Sequence, residues 1–154
     1  MTPAIQLAKK AKITHKVHEY QHDNNAESYG LEAAEKMATP AETIFKTLVV
    51  DVGNKQLVVA IIPVATMLNL KAIAKAVKAK KAVMADKNDV MRSTGYVLGG
   101  VSPLGQKKRL ATVIDDSAEP LASMFVSAGK RGLEIELAPQ DLQQLTQKIQ
   151  HNFA

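Results

Sequence analysis

The pattern of apolar and polar residues predicts a chain that mixes strands and helices. Residues 57–62 are apolar at every position, which is typical of a strand covered on both faces. We extend this strand to 56–64, and pair it with a β-branched segment at 45–52 through a hairpin turn at Gly53-Asn54. The shorter β-like segments predict further strands at 16–20, 82–84, 110–114, 124–127 and 133–137, and Gly129-Lys130-Arg131-Gly132 is predicted as the turn before the last of them.

Helix start signals stand before several amphipathic segments. Thr2 followed by Pro3 predicts an N-cap and the first helical position of a helix that ends near residue 11. Asn69 precedes an apolar stripe that predicts a helix over 70–79. Further helices are predicted at 30–38, from Asp86 and from Pro139. Because strands and helices do not alternate strictly, we expect the α+β class and a single domain over residues 1–154.

Composition restricts the class of protein. Of 154 residues, 46% are hydrophobic and only 4% aromatic, so the predicted core is aliphatic. No apolar run approaches the roughly 20 residues that span a bilayer. The N-terminal stretch does not follow the order of a secretory signal. We therefore expect a cytoplasmic protein with no membrane partner.

The missing cysteine removes several kinds of chemistry. With no cysteine in the chain, disulfides, thiolate nucleophiles and Cys-ligated zinc are excluded. The four histidines show no metal-binding spacing, so we expect neither a metal nor another cofactor. No GxxxxGK[ST] loop and no G-x-S-x-G elbow occurs, which argues against P-loop nucleotide hydrolysis and a serine hydrolase of that kind.

The positive charge favours an anionic partner. The net charge is +5, and nucleic acid is the commonest partner of a basic protein. Three basic groups could contact a phosphate backbone, although solvated surface is the alternative for each. They are Lys71, Lys75 and Lys78 with Lys80 and Lys81; Lys107 and Lys108 with Arg109; and Lys130 with Arg131.

Two local features could build a site. Residues 93–105 contain four of the eight glycines, so backbone N–H groups there could hold a phosphate or a carbonyl oxygen; the alternative is a turn without a ligand. Lys46 lies in a predicted strand, on a face it shares with Leu48 and Val50. It is either a pocket cation or a side chain that snorkels to solvent.

Together these motifs resemble the YbaK family of free-standing Cys-tRNA(Pro) deacylases, which is related to the editing insertion of bacterial prolyl-tRNA synthetases. The resemblance covers nearly the whole chain. Its main segments are residues 2–4, 32–36, 45–48, 67–71, 84–87, 93–96, 99–108, 129–133 and 135–139.

The resemblance implies a mixed, partly closed, barrel-like sheet flanked by helices, with a pocket at its open side. It implies catalytic roles for Lys46 and for the backbone of Gly99 and Gly100. Glu134 stands where close relatives can carry Asp. The implied substrate-binding residues are Tyr20, Tyr29, Thr47, Thr94, Ser102, Ser127, Gly129 and Glu134.

The resemblance also implies partners and a mechanism. The substrate is aminoacylated tRNA, with phosphate contacts from Lys71, Lys75, Lys78, Lys107, Lys108, Lys130 and Arg131, and a transient complex with prolyl-tRNA synthetase is expected. Since the chain lacks an evident nucleophile, the thiol of a cysteinyl substrate could attack its own ester. Attack by a bound water is the alternative chemistry, and a non-catalytic tRNA- or synthetase-binding module is the alternative function.

Overall fold

A computed structural model describes residues 1–22, 29–146 and 150–151, the side chains of 29–30 and 150–151 excepted. In this part of the chain no helix is long and apolar enough to cross a membrane. The helices are α1 (Pro3–Lys10), α2 (Tyr29–Lys36), α3 (Leu70–Ala76), α4 (Lys87–Thr94) and α5 (Pro139–Thr146), with short 3-10 turns at Ala41–Thr43 and Asp116–Ala118. The strands are β1 (His15–Glu19), β2 (Phe45–Asp51), β3 (Leu57–Pro63), β4 (Val83–Met84), β5 (Ala111–Asp115), β6 (Met124–Lys130), β7 (Leu133–Leu137) and β8 (Gln150–His151).

The strands form two sheets flanked by helices. The first is antiparallel, in the order β1-β7-β6, and the second is mixed, in the order β4-β2-β3-β5-β8. The α+β class is therefore confirmed, but the single barrel-like sheet is not found. An isolated bridge joins Ile44, just before β2, to Phe125 of β6. The described ladders of the two sheets are otherwise separate, since β6 pairs with β7 and β2 pairs with β3 and β4.

The hydrophobic core lies on both faces of β3, as its uniform pattern predicts. All seven residues of β3 are buried, and β3 is the middle strand of the five. Val59 and Ile61 belong to the main core, which lies between the two sheets. Val58, Ala60 and Ile62 belong to a second cluster beneath α3. The two faces are thus covered by different layers.

The predicted helix starts are confirmed by their caps. The Thr2 hydroxyl accepts from the Ile5 N–H, and the Asn69 side chain accepts from the Ala72 N–H at 3.0 Å. The Asp86 carboxylate accepts from two N–H groups of α4. These side chains satisfy donors that a first helical turn leaves without intrahelical partners.

Two segments differ from the prediction. Residues 129–132 do not all form the turn, because β6 continues to Lys130 through a register shift between Ser127 and Lys130. Gly129 takes a φ of +119° in this bulge, a conformation that glycine adopts without strain. The two-residue strand β8, parallel to β5, was not predicted, since two residues carry no readable period.

Candidate active site

A cavity of about 280 Å³ opens between the two sheets, beside the start of β2. Its position follows from the short β4, which pairs only with Val50 and Asp51 of β2. The first half of β2 is therefore an open edge that faces β6 and β7. The cavity is lined by Tyr20, Phe45, Lys46, Thr47, Leu48, Val64, Gly99, Val101, Ser127, Arg131 and Glu134.

Lys46 and Thr47 supply polar groups from the β2 edge. Burial lowers the pKa of Lys46, since desolvation disfavours the ammonium. The buried Thr47 Oγ1 has no hydrogen-bond partner in the described part of the chain. Such a group is costly unless a ligand or water satisfies it. The placement of Lys46 in the cavity favours the pocket-cation interpretation over snorkelling.

Glu134 projects from β7 on the opposite wall. It is only 7% exposed, and no side-chain hydrogen bond or ion pair links it to another described residue. Burial raises the pKa of Glu134 to about 8, so the carboxyl is mostly uncharged near neutral pH. Burial, with the nearby Glu134 and Glu32 charges, also raises the pKa of Tyr20 to about 12. Both groups can therefore donate a hydrogen bond to a ligand.

Arg131 lines the cavity but is already paired. Its Nη2 and Nε lie 3.2 and 3.3 Å from Oε1 of Glu32, a residue of α2. The side chain of Glu32 is 4% exposed and that of Arg131 18%. This pair joins α2 to the β6–β7 turn at the cavity wall. The predicted contact of Arg131 with tRNA stays a prediction, and it would have to coexist with this ion pair.

The glycine-rich segment forms the wall beside β2. Gly95 ends α4 in the left-handed conformation, and the Tyr96 hydroxyl closes the loop by donating to the Leu104 carbonyl at 2.7 Å. Gly99 lines the cavity, and no acceptor in the described part of the chain takes its N–H. The Gly100 N–H instead donates to the Val97 carbonyl at 3.0 Å. Gly99 is therefore the better placed of the two predicted backbone donors.

Close packing fixes this loop on the β6–β7 turn. A Cβ on Gly100 would lie 2.8 Å from the Lys130 Cα, so only glycine fits. A Cβ on Gly129 would lie 2.8 Å from the Tyr96 ring, and the Gly129 N–H donates to the Ser127 hydroxyl at 3.2 Å. Ser127 itself lines the cavity. Gly129 thus shapes the bulge that holds Ser127 at the wall.

Two other predicted substrate contacts, Thr94 and Ser102, lie outside the cavity lining. Thr94 is buried at the end of α4, where its hydroxyl donates to the Val90 carbonyl at 2.7 Å. The buried Ser102 hydroxyl accepts from the Leu104 N–H. Tyr29 is the first residue of α2, but its side chain is outside the described residues. Their roles as substrate contacts stay predictions.

The basic residues lie on three segments of the chain. All five lysines of the first group line one shallow groove of about 480 Å³ beside α3. Lys107 and Lys108 are exposed after the glycine-rich segment, where the Lys107 side chain packs beside Gly95. Lys130 is exposed at the β6–β7 turn.

Several lining residues were not predicted. Phe45, Leu48, Val64 and Val101 are apolar, and nothing distinguishes them in sequence from ordinary core residues. Glu32, the partner of the lining residue Arg131, is not a predicted site residue and lies within the matching segment 32–36. Its partner Arg131 lies 99 residues away, so no local spacing reveals the ion pair.

The family follows from comparison with known proteins. The family described as "Aminoacyl-tRNA editing domain" matches residues 24–145. The chain belongs to this family, as the motifs predict.

The chain also has close and distant relatives. It is 41% identical over 149 residues to "Putative Cys-tRNA(Pro)/Cys-tRNA(Cys) deacylase EbsC" of Enterococcus faecalis (strain ATCC 700802 / V583), covering 94% of this chain and 88% of that protein. A crystal structure of "a putative trans-editing enzyme for prolyl tRNA synthetase" matches with a TM-score of 0.86 and 21% identity over 98% of this chain and 94% of the other. That of "hypothetical protein APE2540" matches with the same TM-score and identity over 98% of both chains. At this identity the two structures establish the fold alone.

Proposed function

We propose that this protein is a trans-editing deacylase that releases cysteine from mischarged Cys-tRNA(Pro) in the cytoplasm. The observation that carries the proposal is the cavity at the open edge of β2. There Lys46, Thr47 and Glu134 present polar groups without partners among the described residues. The family membership and the 41% identical relative support the reaction class.

The size of the cavity suits an aminoacyl group. Pockets for drug-sized ligands are about 300–1,000 Å³, and this cavity, at about 280 Å³, falls just below that range. The esterified amino acid enters, and the rest of the tRNA stays outside. The resemblance implies a partly closed, barrel-like sheet with a pocket at its open side. In this proposal the gap between the two sheets is that pocket.

The lining residues provide positioning and charge stabilisation rather than a nucleophile. Among the described residues no histidine lines the cavity, so within this part of the chain neither Ser127 nor Thr47 has a neighbouring imidazole base. In the proposed reaction the substrate thiol attacks its own ester carbonyl. A C–S bond forms, the C–O bond to the ribose breaks, and the thiol proton ends on the released hydroxyl.

The protein's own groups then stabilise the developing oxyanion. The Gly99 N–H and the Lys46 ammonium are the candidates, since donors fixed in a desolvated site contribute strongly to such reactions. Tyr20, Ser127 and Glu134 orient the aminoacyl group. A water that opens the resulting cyclic thioester completes the release of cysteine.

The tRNA body is held outside the cavity. The exposed lysines of the α3 groove, with Lys107, Lys108 and Lys130, contact phosphates and make binding salt-dependent. Because each basic patch is short, we expect little discrimination between tRNAs by this chain alone. A transient complex with prolyl-tRNA synthetase would supply that selection.

The test is single-turnover deacylation of Cys-, Ser- and Ala-tRNA(Pro) by the purified chain. The proposal predicts fast loss of cysteine and much slower loss of serine and alanine, which lack a thiol. Comparable rates for all three would contradict thiol assistance and favour attack by water. Salt-sensitive binding of tRNA without turnover of any substrate would contradict the enzyme and favour a non-catalytic tRNA-binding module.

A further inference from the structure

An acidic side chain from α2 controls where the cavity's arginine points. Arg131 and Glu134 both line the cavity, yet the guanidinium is bonded to Glu32 through two nitrogens that converge on one oxygen. We propose that Glu32 is a positioning residue: by holding Arg131 on α2, it leaves the Glu134 carboxyl without a cationic partner and available to the substrate.

Arg131 and Glu134 lie near each other in the fold, on the same side of one cavity hairpin. The two residues are three apart around the β6–β7 turn. Tyr20, Arg131 and Glu134 line the same cavity, and Glu134, Glu32 and Arg131 each influence the pKa of the Tyr20 hydroxyl. An arginine that turned to Glu134 would form a charge-assisted pair and stabilise the ionised carboxylate. The Glu32 ion pair prevents this alternative pairing.

The other charged groups around Glu134 leave it unpaired as well. Lys46 faces it from β2 across the cavity, without a bond to it in the described structure. His18 stands opposite Glu134 in the β1–β7 register, but its Nε2 is 2.9 Å from Glu136. Among the described residues, Glu134 thus shares the cavity with Tyr20, Lys46 and Arg131 and is bonded to none of them.

The consequence is a carboxyl that can donate as well as accept. An ionised carboxylate only accepts hydrogen bonds, whereas a protonated one also has an O–H donor. Such a group can bind an ester carbonyl or a hydroxyl of the substrate. The inference rests on the proposed function only for the identity of that substrate, since the state of Glu134 can be measured without any reaction.

The direct test follows the ¹³C signal of the Glu134 side-chain carboxyl through a pH titration. In the wild type we expect a midpoint near 8. In Glu32→Gln the released Arg131 should pair with Glu134 and move the midpoint towards the ordinary glutamate value of about 4.3. The double variant Glu32→Gln/Arg131→Met should restore the high midpoint. As a matched control, Asp89→Asn removes the exposed Asp89–Arg92 pair on α4 and should leave the midpoint unchanged.

Three results would overturn the proposal. One is an unchanged midpoint in Glu32→Gln, and another is a low midpoint that persists in the double variant. If Glu32→Gln does not fold, Arg131→Met alone decides the matter. We expect Arg131→Met to leave the Glu134 midpoint near that of the wild type. A midpoint raised by more than about one pH unit, a tenfold rise in proton affinity, would show that Arg131 already acts on Glu134.

Deacylation rates separate this inference from the proposed function. After correction for uncatalysed loss, Glu32→Gln should fall below the wild type near pH 7, where Glu134 has ionised in the variant and is still mostly protonated in the wild type. The difference should shrink towards pH 4, where Glu134 of the variant regains its proton. A shifted titration in a protein that releases no cysteine would retain the inference and reject the deacylase. Release of cysteine, together with an unshifted Glu134 titration in Glu32→Gln, would retain the deacylase and reject the inference.

Discussion

Glu134 and Glu136 are the same residue type, on the same strand and the same face, and the fold gives them opposite properties. Burial raises the pKa of Glu134 to about 8. Burial acts on Glu136 in the same direction, but hydrogen bonds from Ser123 and His18, with the positive charges of His18 and Lys16, leave the pKa of Glu136 below its ordinary value. The difference lies in partners rather than in residue type.

The geometry explains which carboxyl obtains partners. Glu136 lies where β1 and the segment before β6 both reach it, with Ser123 Oγ at 2.7 Å and His18 Nε2 at 2.9 Å. Glu134 lies where β7 meets the cavity, and Arg131, the nearby cation from its own turn, is held by Glu32. One carboxylate is thus structural, and the other remains available to a ligand.

The largest effect expected from the contrast between these two carboxyls concerns activity. Glu134→Ala should slow single-turnover deacylation of Cys-tRNA(Pro) by roughly 10–100-fold, because a hydrogen bond to the reacting group is lost. Glu134→Gln keeps a neutral donor and should retain most of the rate. Glu136→Ala, the matched control, should change the rate less than about twofold. Equal losses of deacylation rate in Glu134→Ala and Glu136→Ala would contradict a functional difference between the two carboxyls.

The next effect is on stability and its pH dependence. The unfolded chain ionises Glu134 near pH 4.3, whereas the folded chain retains the proton to about pH 8. The folded state therefore loses stability as pH rises through this interval. Glu134→Gln should be more stable than the wild type by a few kcal/mol above about pH 8, and by much less near pH 5. Urea unfolding at both values measures this; a pH-independent difference would contradict a raised pKa.

The cavity end of β7 also depends on the glycine loop. Gly100→Ala places a Cβ 2.8 Å from the Lys130 backbone and should cost about 1–3 kcal/mol of unfolding free energy through overpacking. It should also slow deacylation by displacing Gly99. Gly53→Ala, whose Cβ meets nothing within 4 Å, carries only backbone strain from its φ and should not affect the rate. An unchanged deacylation rate in Gly100→Ala would show that the packing of this loop does not position the active site.

The smallest effect is expected at Glu136. Since its folded pKa is lowered, its ionised form stabilises the fold above the unfolded value of about 4.3, and this contribution is lost as pH falls below it. Glu136→Gln should cost about 1 kcal/mol at neutral pH and little in acid. Thermal unfolding across this range checks the sign, and a cost that grows towards low pH would refute the assignment.

The sequence was most informative where one feature acts locally. The β3 strand, the Thr2 and Asn69 caps and the place of Lys46 in a strand were predicted correctly, because each depends on neighbours in the chain. The two-sheet division was missed, since strand type does not reveal where a ladder ends. The contrast between Glu134 and Glu136 could not be predicted, because their environments come from residues as distant as His18 and Glu32.

The most direct test of the central claim is deacylation of Cys-tRNA(Pro) by the wild type, Lys46→Ala and Lys10→Ala under single-turnover conditions. Lys46 lines the cavity, whereas Lys10 is an exposed residue at the end of α1. If the cavity is the active site, the wild type and Lys10→Ala should release cysteine at similar rates and Lys46→Ala at least about 100-fold more slowly. Equal rates for all three proteins would place the reaction elsewhere, and no release by any of them would contradict the deacylase itself.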